Sequence, residues 1–352
     1  MICRATSGHR ISGCLARSAS ASRTYQLSLR AVCAELLLNG VTCIADRLGD
    51  MDKLAPIISE SGLRAVVGHT LSDARGAADW ATCERVLETY GVDPSRRVFA
   101  GLAPHALDSC SDSLLRACAT RAERLGCRIF IHVAQSAAEV AAVHAKGHDG
   151  ALACMAATGL VGPHVVAAHG IYLTDAEIAA WPQFSTSIAH CPASNLKIEA
   201  RTLPIHRLHG QVAIGLGTDW SATNNAWDML AEARLAALVG KMLADDPTAL
   251  TVSAMMRLLT IDGARVLGLG HMIGSIEVGK RADLVILDAN CLSMSPMHDP
   301  VSNVIYAAGT RAVRHVLVDG EWLVRDGRLV RADEAQLAKA HNRLAAYALR
   351  HL

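Results

Sequence analysis

Ile131-His132-Val133-Ala134-Gln135, Ala167-Ala168-His169-Gly170 and Gly215-Leu216-Gly217-Thr218-Asp219 each place a metal-capable side chain at the end of a short apolar run of β type. The carboxyl ends of parallel barrel strands converge on one mouth, so side chains far apart in the chain can share a cation there. This recurrence predicts that His132, His169 and Asp219 are neighbours in space.

Outward from these segments, β-branched runs alternate with Ala/Leu-rich helical stretches. The candidate strands are Val41 to Ala45, Leu63 to Gly68, Val98 to Leu102, Arg128 to Val133, Val165 to Ala168, Ser185 to Ala189 and Val212 to Leu216. Most are separated by room for a helix, which implies parallel strands joined by right-handed crossovers and an α/β fold. Seven such units are legible. Ser111-Asp112 opens a helix that stops at Gly126, Thr174 to Glu177 spells a capping box, and Ala226 to Met242 reads as an outer barrel helix.

After Gly268 the pattern changes. Gly274 to Asp288 reads as a turn and a strand, and Asp319-Gly320 reads as the turn of a hairpin between Val313 and Val324. The stretch from Asp333 to Leu352 has helical spacing. The expected division is an atypical N-terminal segment over 1–24, a barrel over 25–268, a small β-sandwich portion over 269–330 and a C-terminal helix over 331–352.

Composition narrows the partners. With 34 basic against 33 acidic residues and no long basic block, the chain offers no counterion-driven grip on nucleic acid, so a small-molecule substrate is expected. No apolar run reaches the length of a membrane span. Eleven dispersed cysteines with no C-x-x-C pair read as reduced thiols in a cytoplasmic protein. At 352 residues, the chain exceeds the roughly 250 of an ordinary α/β barrel and leaves room for an appendage.

An ordered set of motifs then reaches a family. Ala103-Pro104-His105, Ile131 to Ala134, Ala168-His169-Gly170, the string A-H-C-P-A-S-N from Ala189 to Asn195, Gly217-Thr218-Asp219 followed by Asn224-Asn225, and G-x-I-x-x-G-K-x-A-D-L from Gly274 to Leu284 closely resemble the amidohydrolase superfamily. The nearest resemblance is to its aminohydrolase branch, which acts on nucleosides, guanine, S-adenosylhomocysteine and triazines. It covers residues 30 to 330 in order.

The resemblance implies a (β/α)8-type barrel with a small β-sandwich and one divalent metal at the mouth, zinc first and iron(II) as the alternative. His132, His169 and Asp219 would hold the ion, with His169 and Asp219 also serving catalysis. His105, Gln135 and His190 would face substrate. The implied reaction is hydrolysis of a non-peptide carbon–nitrogen bond by activated water, with deamination of a heterocycle as the form expected, and a homo-oligomer as the assembled state.

Two departures accompany the resemblance. No His-x-His pair occurs in the chain, although the family supplies one from its first strand. The barrel is therefore expected to lack that strand, and a catalytically impaired or truncated amidohydrolase-like protein stands as the alternative function. An open arc of seven strands would leave two unpaired edges. Residues Met1 to Thr24 are Ser- and Arg-rich and acid-free, which reads as a mis-assigned or shortened start rather than a transit peptide.

The second departure is Gln135, where the branch carries a Glu; an amide hydrogen-bonds but cannot relay a proton. Structural alternatives also stay open on sequence alone. Asp219 could cap a helix, His105 could brace a turn, and Gln135 could cap the helix that follows it. Cys191 beside His190 is not expected to be a nucleophile, because neighbours on one strand end point apart.

Overall fold

The structure, a computed structural model, describes residues 19–351. Residues 1–18, including His9 and most of the N-terminal segment singled out above, lie outside the described residues.

Eight parallel strands follow the opening helix Ala19–Leu38. They are β1 (Cys43–Leu48), β2 (Arg64–Leu71), β3 (Val98–Ala100), β4 (Ala103–Pro104), β5 (Ile129–Val133), β6 (Val165–His169), β7 (Ser187–His190) and β8 (Ile214–Leu216). β3 and β4 are one interrupted strand, since both lie on β2, so the seven units read from the sequence are the seven observed. β2 pairs with β1, and β5 to β8 pair in chain order. Parallel bridges Leu102–Ile129 and Ala106–His132 join the two halves into a single arc. Among the described residues no ladder joins β8 back to β1.

Period-two alternation sorts the strand side chains into two cores. Ile129, Ile131, Val133, Val165 and Ala167 face the surrounding helices. Val66, Phe99, Phe130 and Val166 face inward, where Ala264, Val266, Leu269 and Ile273 close the floor of the arc. The helices begin and end as their sequences demand. Ser111 accepts from the Leu114 amide and Gly126 ends that helix at φ 66°, while Thr174 and Glu177 form the full capping box. The outer helix runs Met229–Ala244 and buries Ala233, Ala236, Ala237 and Gly240.

The appendage is a four-stranded antiparallel sheet in the order β12-β11-β10-β9, from β9 (Leu284–Leu287), β10 (Val313–Val318), β11 (Glu321–Arg325) and β12 (Arg328–Leu329). Asp319 (φ 55°) and Gly320 (φ 78°) supply the two left-handed residues that a tight hairpin between β10 and β11 requires. The sheet is bolted to the arc by ion pairs, of which Arg64–Asp283 is the most buried, beside Arg64–Asp319, Arg97–Asp319 and Arg97–Glu321. Arg64, the first residue of β2 and wholly buried, donates from Nε and Nη2 to the two carboxylate oxygens of Asp283 at 2.7 and 3.0 Å. Asp283 in turn accepts from the Asp319 amide of the hairpin turn. The last helix, Glu334–His351, lies against the first, and no helix among the described residues is long and apolar enough to cross a membrane.

Candidate active site

His132, His169 and Asp219, from the ends of β5, β6 and β8, bring one ligand atom each to within 4.8 Å of one another. The three are therefore neighbours in space, as the sequence predicts. For His169, this holds against the strand's own alternation. Val165 and Ala167 face the helices, and the same parity would send His169 outward with them. A left-handed backbone at His169 (φ 76°) ends the pleat there, and its ring lies 5.0 Å from that of His132, centroid to centroid. Asp219 (φ 59°) and Ala134 (φ 48°) share this conformation. Such backbone costs an L-residue about 1–3 kcal/mol and is retained where a site demands it.

The string A-H-C-P-A-S-N, which ends β7 and opens the helix after it, fixes two of the three. Asn195 donates through Nδ2 to Thr202 Oγ1, so its Oδ1 is the acceptor for His169 Nδ1 at 2.8 Å. His169 is thereby held as the Nδ1–H tautomer with the lone pair on Nε2, a buried atom with no partner. Burial lowers the pKa of His169, which keeps the ring neutral. Ser194 Oγ donates to Asp219 Oδ2 at 2.5 Å and Thr223 Oγ1 donates to the same oxygen at 2.9 Å. Asp219 is not the cap of the short helix after it; Trp220 holds that position with no side-chain bond.

His105 lies on the other side of His132, with ring centroids 5.1 Å apart, and its Nδ1 meets Ser109 Oγ at 2.7 Å. Gln135 follows directly on the bend at Ala134, and the helix after it is capped by Ser136 instead. His190 ends β7 fully buried, with Nδ1 unpartnered; burial, with a smaller contribution from nearby His169, pulls its pKa to about 3. Cys191 is no nucleophile. Burial, together with Asp219 and Glu232, pushes its thiol well above the usual range.

Three side chains important to this geometry carried no role in the sequence reading. Glu139 Oε1 and Oε2 accept from the amides of Ala134 and Gln135 at 3.0 and 2.8 Å, which pins the bend after β5. Glu232 accepts from the Ala193 amide at 3.1 Å and from Asn224 Nδ2 at 2.6 Å, tying the loop after β7 to the one after β8. Arg47, on β1, reaches inward to the site. A carboxylate inside an otherwise apolar helix is the signal that could have found the two glutamates. Arg47 shares the inward parity of Cys43, a signal available once the strand register is known.

Burial, with Asp228 and Asp219 adding to it, pushes Glu232 from 4.5 up to about 7 against the downward pull of its two hydrogen bonds. The folded protein thus binds this proton more tightly than the unfolded chain. The associated stability is complete below about pH 4.5 and is lost as pH rises through about 7. Relative to Glu232→Gln, the wild-type unfolding free energy is expected to fall across that window by no more than about 1.4 kcal/mol per pH unit. Urea unfolding of both proteins at several pH values reads the difference; a flat difference contradicts the shift.

The same 4.8 Å spacing recurs once more among the described residues, at Asp112, His148 and Cys154. There Asp112 is already engaged by His148 Nε2 at 2.9 Å and by Arg116 Nη2 at 3.2 Å.

The three donor side chains at the mouth suit one divalent ion once His132 Nδ1 is released from Arg47 Nη2, which stands 2.9 Å away. Their type is nitrogen and oxygen, their spacing is that of a shared ligand set, and the orphaned Nε2 of His169 is presented for it.

Known proteins resemble this chain over most of its length. A 5-methylthioadenosine/S-adenosylhomocysteine deaminase of Desulforudis audaxviator is 35% identical over 315 residues, spanning 88% of this chain and 73% of that protein. A 5'-deoxyadenosine deaminase of Methanopyrus kandleri is 36% identical over 309 residues, 86% of this chain and 71% of the relative. Among solved structures, an adenosine deaminase from Xanthomonas campestris with bound zinc superposes with a TM-score of 0.88 at 33% identity, covering 93% of this chain and 76% of that one. An atrazine chlorohydrolase from Arthrobacter aurescens, complexed with zinc, shares the fold at a TM-score of 0.84 and 23% identity, over 97% of this chain and 82% of that one. A sequence profile of the amidohydrolase family matches residues 11–323, and with it this chain belongs to the amidohydrolase family.

Proposed function

We propose that this chain is a metal-dependent hydrolase of non-peptide carbon–nitrogen bonds, which deaminates an adenosine-type heterocycle and releases ammonia. The convergence of His132, His169 and Asp219 on one point carries the reading, supported by relatives that are deaminases of adenosine-type compounds.

A divalent ion held by these three residues, zinc in preference to iron, would supply the positive charge that makes a water acidic near neutral pH. Asp219 is the proton carrier. Ser194 and Thr223 occupy Oδ2, which leaves Oδ1 to take a proton from the attacking water and return one to the departing amine. His169, neutral and aimed by Asn195, spends its one N–H on that bond and serves the reaction through its Nε2 lone pair, which would hold the ion that makes the water acidic. His105, Gln135 and His190 line the substrate side. Gln135, with an amide where a carboxyl group would relay protons, holds a ring nitrogen by hydrogen bonding alone.

We read the arc as a (β/α)8-type barrel lacking its first strand. The proposed units are the segment 1–24, the barrel 25–268, the small β-sandwich portion 269–330 and the C-terminal helix 331–352. A cytoplasmic setting is supported by the described cysteines, all of them free thiols. A homo-oligomer is supported by exposed Leu238, Met242 and Leu243 on one outer helix. The alternative, a catalytically impaired or truncated family member, is not favoured by a mouth where His132, His169 and Asp219 come together and the last two are braced.

Ammonia release from a panel of adenosine, 5'-deoxyadenosine, 5-methylthioadenosine, S-adenosylhomocysteine, guanine and an aminotriazine, with added zinc or iron(II), tests the reading. Turnover of the adenosine-type members above the rest is the expected result. No ammonia from any of them under either metal overturns it.

A further inference from the structure

Arg47 is a cation already seated at the mouth. It lies on β1 with Gly68, which has no side chain, as its register neighbour on β2. Its guanidinium crosses the inner face of the arc, and Nη1 donates to the carbonyls of Pro104 and His105 at 3.2 and 3.1 Å. Nη2 stands 2.9 Å from His132 Nδ1. Asp219 is close enough to act on Arg47 electrostatically, although desolvation dominates and draws the guanidinium to about 10.

The two histidines of the site are consequently set in opposite senses. Asn195 accepts from His169 and leaves its Nε2 lone pair facing the site. A guanidinium has donors and no acceptor, so His132 Nδ1 must accept, and its proton must sit on Nε2. A neutral imidazole has one lone pair, which Arg47 takes.

We infer that Arg47 and a divalent ion compete for the lone pair of His132, so that Arg47 sets the metal affinity of the site. The inference rests on the metal-site reading above. Two effects act together. The ion must displace a hydrogen bond from His132, and it must bind beside a fixed positive charge. Arg47 in turn supplies the charge facing Asp219 when no ion is bound.

Zinc titration of the full chain, stripped with chelator and followed with a competing zinc dye, tests this on wild type, Arg47→Met and His169→Ala. Arg47→Met is expected to bind zinc about 10–100-fold more tightly than wild type, and His169→Ala more weakly. Equal affinity of Arg47→Met and wild type, with His169→Ala still weakened, overturns the competition and leaves the metal site standing. Zinc uptake that His169→Ala does not alter, or no uptake by any of the three, overturns the metal-site reading and the competition with it. Histidine-selective 15N spectra of the metal-free wild type give a second readout that needs no variant. His132 is expected as the Nε2–H tautomer, and an Nδ1–H tautomer overturns the inference.

Discussion

Asp219→Asn is expected to lower kcat for ammonia release by about 10²–10⁴-fold, the range that a positioned proton carrier supplies. The substitution separates chemistry from architecture. Asn retains an oxygen to accept from Ser194 Oγ and Thr223 Oγ1, so the left-handed bend at Asp219 and the loop after β7 keep their anchors. What is lost is the ability to take and return a proton, together with the negative charge offered to a cation. Melting should therefore change little, while zinc affinity and kcat both fall. Steady-state kinetics with saturating zinc isolates the proton step, and wild-type kcat under those conditions would remove Asp219 from it.

Asp283→Ala is expected to cost about 3–5 kcal/mol of folding free energy. Its partner Arg64 has no exposure to water and is held by both carboxylate oxygens, so truncating Asp283 strands a buried guanidinium. Asp319, at 3.1 Å from Arg64 Nη2, compensates only in part, because the Asp319 amide itself loses its acceptor. Denaturant unfolding followed by circular dichroism measures the loss, and a change below about 1 kcal/mol would show that Asp319 alone neutralises Arg64. Arg64 begins β2, whereas the candidate site lies at the opposite strand ends. The motif that contains Asp283 thus serves the joint between barrel and sheet, in keeping with stability at one face of a barrel and chemistry at the other.

The strand–helix alternation was legible because period-two and helical spacings are local, and the hairpin at Asp319-Gly320 because two adjacent left-handed residues call for those types. Each predicted strand is present, with ends displaced by a few residues; Val41 to Ala45 becomes Cys43–Leu48. Expectation and structure agree on which residues meet at the mouth. The means by which they meet could not be read. Alternation alone sends His169 to the wrong face, and only its backbone dihedral brings it back. Ser194 and Asn195 sat inside a quoted motif without a role, since their partners Asp219 and His169 are each about 25 residues away. Arg47 gave no signal, because a lone arginine at a strand end is ordinarily solvated.

The thiols have a consequence for the choice of ion. Cys33, Cys43, Cys83, Cys110, Cys118, Cys127, Cys154 and Cys191 are all pushed upward by burial, so they stay protonated at neutral pH. A protonated sulfur is a poor ligand for a soft cation. These eight thiols thereby offer little purchase to a passing copper(I) or cadmium ion, in contrast to the imidazoles and carboxylate at the mouth.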